Sequence, residues 1–278
     1  MKPIRKCLFP VAGLGTRFLP ITATFPKEML PLLNKPLLEY AVQEASSSNL
    51  SELIMVINDK KEMIRDYFSS DFEPNLKENK MLNETIKLIS NCNFSFVKQK
   101  EMLGLGHAIN CAEAEIDNEP FAVILPDDFC FSEQKSVIEQ MIDVHKNNPG
   151  KCIVAVQDVD DSLIHKYGVV DINSFDNNTS IYKVKNMVEK PNKNDAPSNL
   201  AIIGRYILTP EIFHILNQIS PDLNGEIQIT EALKHLAHEG KVLAYKFSGK
   251  RIDCGSPNGY LEANNFLAFN KDLMSYKF

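Results

Sequence analysis

The sequence lacks paired cysteines, long apolar runs and an excess of positive charge. Its six cysteines are scattered and form no C-x-x-C pair, so neither a zinc site nor a redox motif is indicated, and their placement within apolar runs fits a reducing cytoplasm. No uninterrupted apolar run exceeds five residues, so we expect neither a signal peptide nor a membrane span. The net charge of -6 argues against a nucleic-acid partner.

The usual fingerprints of two large nucleotide-binding classes are also missing. Gly13 and Gly15 are followed by Phe18, where a dinucleotide-binding motif carries its third glycine, and Asp59 comes much too late to be the acid that binds the ribose. The Walker pattern G-x-x-x-x-G-K-[ST] does not occur. These absences disfavour an NAD-dependent oxidoreductase and a P-loop NTPase.

Hydrophobic patterning in residues 1–157 alternates between strand and helix. Short apolar runs predict buried strands, and apolar residues at helical spacing predict helices between them. The predicted strands are 53–57, 94–97, 121–125 and 152–156, and the predicted helices are 37–45, 61–68, 74–90, 104–115 and 137–145. This order predicts an α/β, Rossmann-like fold, with a mainly parallel central sheet and helices on both faces.

The alternation of predicted strands and helices does not continue in the second half, residues 158–278. Residues 173–180 are polar and turn-forming, and 181–188 has the rough alternation of a strand that pairs in hairpins. Strand 200–208 follows, and then helices at 209–219, 228–239 and 256–273. We find no linker in the sequence, so we expect one domain over 1–278 with a β-hairpin-rich extension.

A glycine loop after the first apolar run is the main candidate for a ligand site. Gly13 and Gly15 allow a backbone to approach an anion closely, and the cations Arg17 and Lys27 follow. This combination is typical of a polyphosphate site. A tight turn with two surface cations would have the same pattern.

Two aspartates are candidate metal ligands. Asp127 follows the buried strand 121–125, and Asp253 follows the segment 242–252. Mg²⁺ is commonly held by one or two carboxylates together with phosphate oxygens, so both fit a metal beside the glycine loop. The alternative for each is a turn residue without a ligand.

Nine short motifs in order along the chain resemble the bacterial UTP–glucose-1-phosphate uridylyltransferases, within the sugar-nucleotide pyrophosphorylase family. The resemblance covers nearly the whole chain and implies the nucleotide-diphospho-sugar transferase fold. The motifs are AGLGTRFLP (12–20), PKEMLP (26–31), Gln99 with GLGHA (104–108), LPDD (125–128), YGVV (167–170), EKP (189–191), GRY (204–206), GEIQIT (225–230) and DCG (253–255).

The resemblance also implies a role for each matching residue. It places a nucleotide-binding half at about 1–157 and a sugar-binding half, with the C-terminal helix, at about 158–278. The implied nucleotide-binding residues are Ala12, Gly13, Gly15, Thr16, Glu28, Gln99 and Gly104; the catalytic residues are Arg17, Lys27 and Lys190; the sugar-binding residues are Gly168, Glu189, Gly204 and Glu226; and the Mg²⁺ ligands are Asp127 and Asp253.

The implied reaction is the formation of UDP-glucose and pyrophosphate from UTP and glucose 1-phosphate, without a catalytic histidine. Two alternatives stay open. One is a thymidylyltransferase that uses dTTP, because no residue is identified that binds the ribose 2′-OH. The other is an inactive sugar-nucleotide-binding module on the same scaffold. The resemblance also implies a homodimer or homotetramer, whose interface could involve the last helix.

Overall fold

A computed structural model describes residues 3–69, 79–172 and 180–270. Strands and helices alternate through the first half, as the hydrophobic pattern predicts. The strands are β1 (Lys6–Pro10), β2 (Pro31–Leu32), β3 (Lys35–Pro36), β4 (Glu52–Ile57), β5 (Asn93–Lys98), β6 (Phe121–Ile124), β7 (Asp128–Phe131), β8 (Cys152–Asp158), β9 (Gly168–Ile172), β10 (Ile181–Glu189), β11 (Leu200–Leu208), β12 (Val242–Lys246) and β13 (Lys250–Asp253). The α-helices are α1 (Leu37–Ser47), α2 (Glu62–Phe68), α3 (Lys80–Ser90), α4 (Gly104–Asn110), α5 (Glu113–Ile116), α6 (Val137–Asn147), α7 (Glu211–Leu216), α8 (Ile229–His238) and α9 (Pro257–Phe269).

Within these ranges, the main sheet has nine strands in the order β5-β4-β1-β6-β11-β8-β12-β10-β9. The first four pair in parallel, as expected for βαβ units. Beyond them, β8 and β12 also pair in parallel, but β11 lies between β6 and β8 and pairs antiparallel with both. β10 also pairs antiparallel with β9 and β12, so β10 and β11 run opposite to the other strands.

Helices cover both faces of this sheet, as predicted. Along β1 the side chains alternate: Cys7 and Phe9 belong to the core under α1, α2 and α6, whereas Leu8 belongs to the core under α4, α7 and α8. Both cores consist of aliphatic and aromatic side chains from strands that are apolar on both faces. The α/β class is therefore confirmed.

A second, two-stranded sheet forms beside the main one. β7 pairs antiparallel with β13, in a register that sets Asp128 opposite Asp253. Segment 242–252, treated as one stretch in the sequence, thus divides between β12 in the main sheet and β13 in this ribbon. Phe129 and Ile252 of the ribbon pack against Leu267 of α9.

Several helices differ from their predicted bounds, among them α7, which is shorter at both ends than the predicted 209–219. The predicted helix 104–115 divides into α4 and α5, and α3 begins after Asn79, whose side chain caps it; residues 74–78 lie outside the described ranges. α9 begins behind the capping side chain of Ser256 and ends at Phe269, while Leu273 lies outside the described residues. Leu261 of α9 is exposed. No helix in the described parts of the chain has the length and apolar character needed to cross a bilayer.

Candidate active site

A cleft of about 570 Å³ opens where the loops after β1, β5 and β6 meet the antiparallel strands of the second half. Ligands of open α/β sheets bind at this carboxyl edge of the parallel strands. Every site residue predicted from the sequence lines this one cleft. They are Ala12, Gly13, Gly15, Thr16, Arg17, Lys27, Glu28, Gln99, Gly104, Asp127, Gly168, Glu189, Lys190, Gly204, Glu226 and Asp253.

The glycine loop is held in shape by its own backbone and by Thr22. Gly15 adopts a left-handed conformation with φ of 65°, which favours glycine, and its carbonyl accepts a hydrogen bond of 2.8 Å from Thr22 Oγ1. A β-carbon at Gly13 would have no heavy atom within 4 Å. The loop therefore presents open backbone to the cleft beside the short 3-10 helix that carries Arg17.

Lys27 and Asp127 form an ion pair on the floor of the cleft, with 2.5 Å between Nζ and Oδ2. Burial lowers the pKa of Lys27, but Asp127 and Glu28 raise it, and the net pKa lies above its ordinary value. Burial raises the pKa of Asp127, but the effect of Lys27 in the opposite direction outweighs it, so the net pKa lies below its ordinary value. Both groups are therefore charged at neutral pH.

Asp253 and Asp127 approach each other around Gly255. A β-carbon added at Gly255 would lie 2.9 Å from Asp253 Oδ1, 3.3 Å from Asp127 Oδ2 and 3.2 Å from Arg17 Nη1. The absent side chain thus leaves room at a point where two carboxylates and a guanidinium meet.

This donor set fits Mg²⁺ bound together with phosphate. Among the described residues, no group of three or more His, Cys, Asp or Glu side chains is arranged to hold a metal. Two carboxylates alone suit Mg²⁺, which is usually bound by one or two carboxylates and completes its octahedron with water and phosphate oxygens. A metal held here would therefore depend on a bound phosphate chain.

Asp128, the neighbour of Asp127, also lines the cleft, but both of its carboxylate oxygens are bound by protein groups. Its Oδ2 accepts a hydrogen bond of 2.6 Å from Gly204 N, and its Oδ1 binds Arg251. Burial lowers the pKa of Arg251, but Asp128 raises it, and the net pKa lies above its ordinary value. Asp128 therefore fixes β7, β11 and β13 to one another.

Glu28 and Gln99 of the cleft each make polar contacts that the sequence did not reveal. The carboxylate of Glu28 pairs with Lys61 at 2.6 Å, and both side chains are buried. Burial lowers the pKa of Lys61 despite the opposing effect of Glu28. The amide of Gln99 donates to the carbonyl of Gly104 at 3.2 Å and contacts His107 Nδ1 at 2.9 Å.

The predicted sugar residues line the same cleft. Glu189 Oε2 accepts a hydrogen bond of 2.6 Å from Thr230 Oγ1, and Lys190 lies 3.5 Å from the other oxygen of Glu189. Gly168 is close-packed, because an added β-carbon would lie 3.1 Å from Glu189 Oε2. Glu226 accepts from Gln228 Nε2 at 2.8 Å.

A buried ion pair under the cleft floor is a further feature that sequence reasoning missed. Arg205, within the motif GRY, binds Glu44 of α1 through Nε and Nη2. Its remaining donors bind the carbonyls of Leu125, Gly204 and Asp128. The only signal in the sequence was an arginine inside an apolar strand, which requires a partner when buried. Arg205 therefore supports the site from beneath.

Comparison with known proteins identifies the family to which the chain belongs. The nucleotidyl transferase family profile matches residues 10–270. The chain is 50% identical over 270 residues to a UTP–glucose-1-phosphate uridylyltransferase of Pseudomonas aeruginosa, with 95% of each chain covered. It is 42% identical over 280 residues to a protein of the same name from Staphylococcus epidermidis, with 99% of this chain and 96% of the relative covered. The structure is similar to a UDP-glucose pyrophosphorylase solved with UDP-glucose, at a TM-score of 0.90 and 49% identity, covering 97% of this chain and 99% of the other.

Proposed function

Because the chain belongs to the nucleotidyl transferase family, and within it to the UTP–glucose-1-phosphate uridylyltransferases, we propose that it makes UDP-glucose and pyrophosphate from UTP and glucose 1-phosphate. The observation that carries this proposal is that Arg17, Lys27, Asp127 and Asp253 line the same cleft as Glu189 and Lys190. The cleft thus brings together charged groups suited to two phosphorylated substrates.

The proposed reaction is a single in-line displacement at the α-phosphorus of UTP. A phosphate oxygen of glucose 1-phosphate forms the new P–O bond, and the bond from the α-phosphorus to the oxygen that bridges to the β-phosphate breaks. Pyrophosphate leaves with that electron pair. The nucleophile is already an anion, so no side chain has to remove a proton, and catalysis consists of positioning and charge stabilisation.

The cationic side chains of the cleft have distinct roles in the proposed reaction. Lys190, whose side chain is half exposed at the cleft wall, orients the phosphate of the sugar. Arg17 and Lys27 neutralise the departing pyrophosphate. Lys27 pairs with Asp127, so its ammonium is held in place within the cleft.

Asp127 and Asp253 are the residues that would hold Mg²⁺. When bound, the ion would supply charge neutralisation to the reacting phosphates. Asp253 is kept in place for this by Gly255 N, which donates to Oδ1 at 2.9 Å, and by Tyr167, whose hydroxyl lies 3.3 Å from Oδ2.

A pyrophosphate-release assay tests the proposal. UTP, dTTP, ATP, CTP and GTP would each be combined with the 1-phosphates of glucose, galactose and N-acetylglucosamine in the presence of Mg²⁺. We expect the highest kcat/KM with UTP and glucose 1-phosphate. A preference for dTTP would indicate the thymidylyltransferase, and no release with any pair would indicate the inactive module; either result contradicts the proposal.

A further inference from the structure

Gln99 has both hydrogens of its side-chain amide committed. It follows β5, where its backbone N–H donates to Ile57 at 2.8 Å. Its Nε2 faces the Gly104 carbonyl at 3.2 Å and His107 Nδ1 at 2.9 Å. A carbonyl oxygen can only accept, so the amide atom that faces Gly104 must be the NH₂ group. The second hydrogen is then directed at His107.

This arrangement defines the tautomer of His107. Since Nδ1 accepts a hydrogen bond from Gln99, the ring is neutral and carries its proton on Nε2. Nε2 lies 3.8 Å from Cys111 Sγ. Burial raises the pKa of the Cys111 thiol, so the sulfur is uncharged and can accept weakly from Nε2–H. Both ring nitrogens thus have partners of matching polarity.

The remaining polar atom of the amide, Oε1, is an acceptor. Gln99 is buried but lines the cleft, and the side-chain hydrogen bonds described for it all leave from Nε2. Gly104 and His107 lie in one turn of α4 and hold the amide from the same side. Oε1 is therefore the atom that the cleft can use.

We propose that His107 is a positioning residue for base specificity, which together with the Gly104 carbonyl holds the amide of Gln99 so that Oε1 accepts a hydrogen bond from the N3–H of a pyrimidine. This inference rests on the proposed function. Uracil carries a hydrogen on N3, whereas N3 of cytosine is an unprotonated acceptor that would face Oε1 without a hydrogen between them. A locked amide therefore favours UTP over CTP, while a freely rotating amide could serve either base.

Removal of the acceptor at position 107 tests the proposal. His107→Leu and His107→Ala both remove one of the two acceptors that orient the Gln99 amide and leave only the longer contact to Gly104. Two variants are used so that the test survives if one of them fails to fold. His107→Asn offers Oδ1 as a replacement acceptor. His214 on α7 is a matched control, since its Nε2 lies 2.9 Å from Gln218 Nε2 in the same kind of contact, but on an exposed surface outside the cleft.

The measurements are the dissociation constants of Mg·UTP and Mg·CTP by calorimetry, and kcat and KM for UTP. For the Leu and Ala variants we expect UTP to bind about three- to tenfold more weakly, the preference for UTP over CTP to fall about tenfold, and kcat to change by less than about twofold. His107→Asn and His214→Leu should keep the wild-type preference.

Two results would overturn the inference: a folded Leu or Ala variant with the wild-type preference, or a wild-type protein that binds both nucleotides equally. The calorimetry does not require turnover. A wild-type protein that prefers UTP in binding but releases no pyrophosphate would therefore contradict the proposed function and leave the His107 test decisive.

Discussion

Replacement of Asp127 by asparagine should impair the proposed reaction much more than it destabilises the fold. The change keeps the size of the side chain but removes the negative charge that faces Lys27 and the space beside Gly255. If Asp127 holds the metal, turnover with UTP and glucose 1-phosphate should fall by roughly a hundredfold or more, on the scale of one lost charge-stabilising group.

The cost to stability should be small by comparison. The side chains of Lys27 and Asp127 are 20% and 27% exposed, so their pair is only partly withdrawn from water. Such a pair contributes about 1 kcal/mol. In a chain of this size that corresponds to a fall in Tm of about 2–4 °C.

Replacement of the neighbouring residue, Asp128, should have a larger effect on stability. The side chains of Asp128 and Arg251 are 10% and 8% exposed, and Asp128 also accepts from Gly204 N. Breaking a buried pair costs about 3–5 kcal/mol, so Asp128→Ala should lower Tm by about 6–20 °C. Calorimetric melting and initial rates across Mg²⁺ concentrations measure both effects. Near-normal turnover of Asp127→Asn at saturating Mg²⁺ would refute the metal assignment.

Three further predictions concern the residues around this pair. Glu44→Ala should destabilise the protein by about 3–5 kcal/mol in urea unfolding, because it leaves the guanidinium of Arg205 buried with carbonyl partners only; a loss below about 1 kcal/mol would contradict this. Gly255→Ala should lower kcat/KM by about tenfold to a hundredfold with little change in Tm, since the methyl group fills the space between the carboxylates; unchanged kinetics would show that this space is unused. Burial raises the pKa of Asp127 but Lys27 lowers it below its ordinary 3.8, so the stabilisation is complete above that pH and is lost as the pH falls through the lowered pKa. Unfolding free energies of wild type and Asp127→Asn should therefore differ at pH 5 and converge at lower pH; a difference that grows on acidification would be inconsistent with the ion pair.

Local patterns in the sequence predicted much of the fold. Apolar runs such as 53–57 and 152–156 became buried strands, and the spacing in 37–45 became α1. The position of β11 between β6 and β8 was not predictable in this way, because it pairs residues far apart in the chain and no local pattern encodes that choice. The β7–β13 ribbon was missed for the same reason.

For the candidate site, too, local patterns predicted some features and missed those that depend on contacts between distant residues. Motifs with a glycine or an acid directly after a strand led to the cleft, because the topology brings such positions to one edge of the sheet. Sequence reasoning predicted only that no histidine is catalytic, and it did not identify Lys61 as a partner for Glu28. Those contacts depend on side-chain geometry across elements, for which a single residue gives no local signal.

The most direct test of the proposed reaction follows the oxygen atoms of the sugar phosphate. Glucose 1-phosphate labelled with ¹⁸O in all four phosphate oxygens would be converted with unlabelled UTP, and the products analysed by mass spectrometry and ³¹P NMR. Direct attack by the sugar phosphate on the α-phosphorus predicts that UDP-glucose retains the whole label, including the oxygen that bridges its two phosphorus atoms, and that pyrophosphate is unlabelled. Label in pyrophosphate, or an unlabelled bridging oxygen in UDP-glucose, would contradict the proposed displacement.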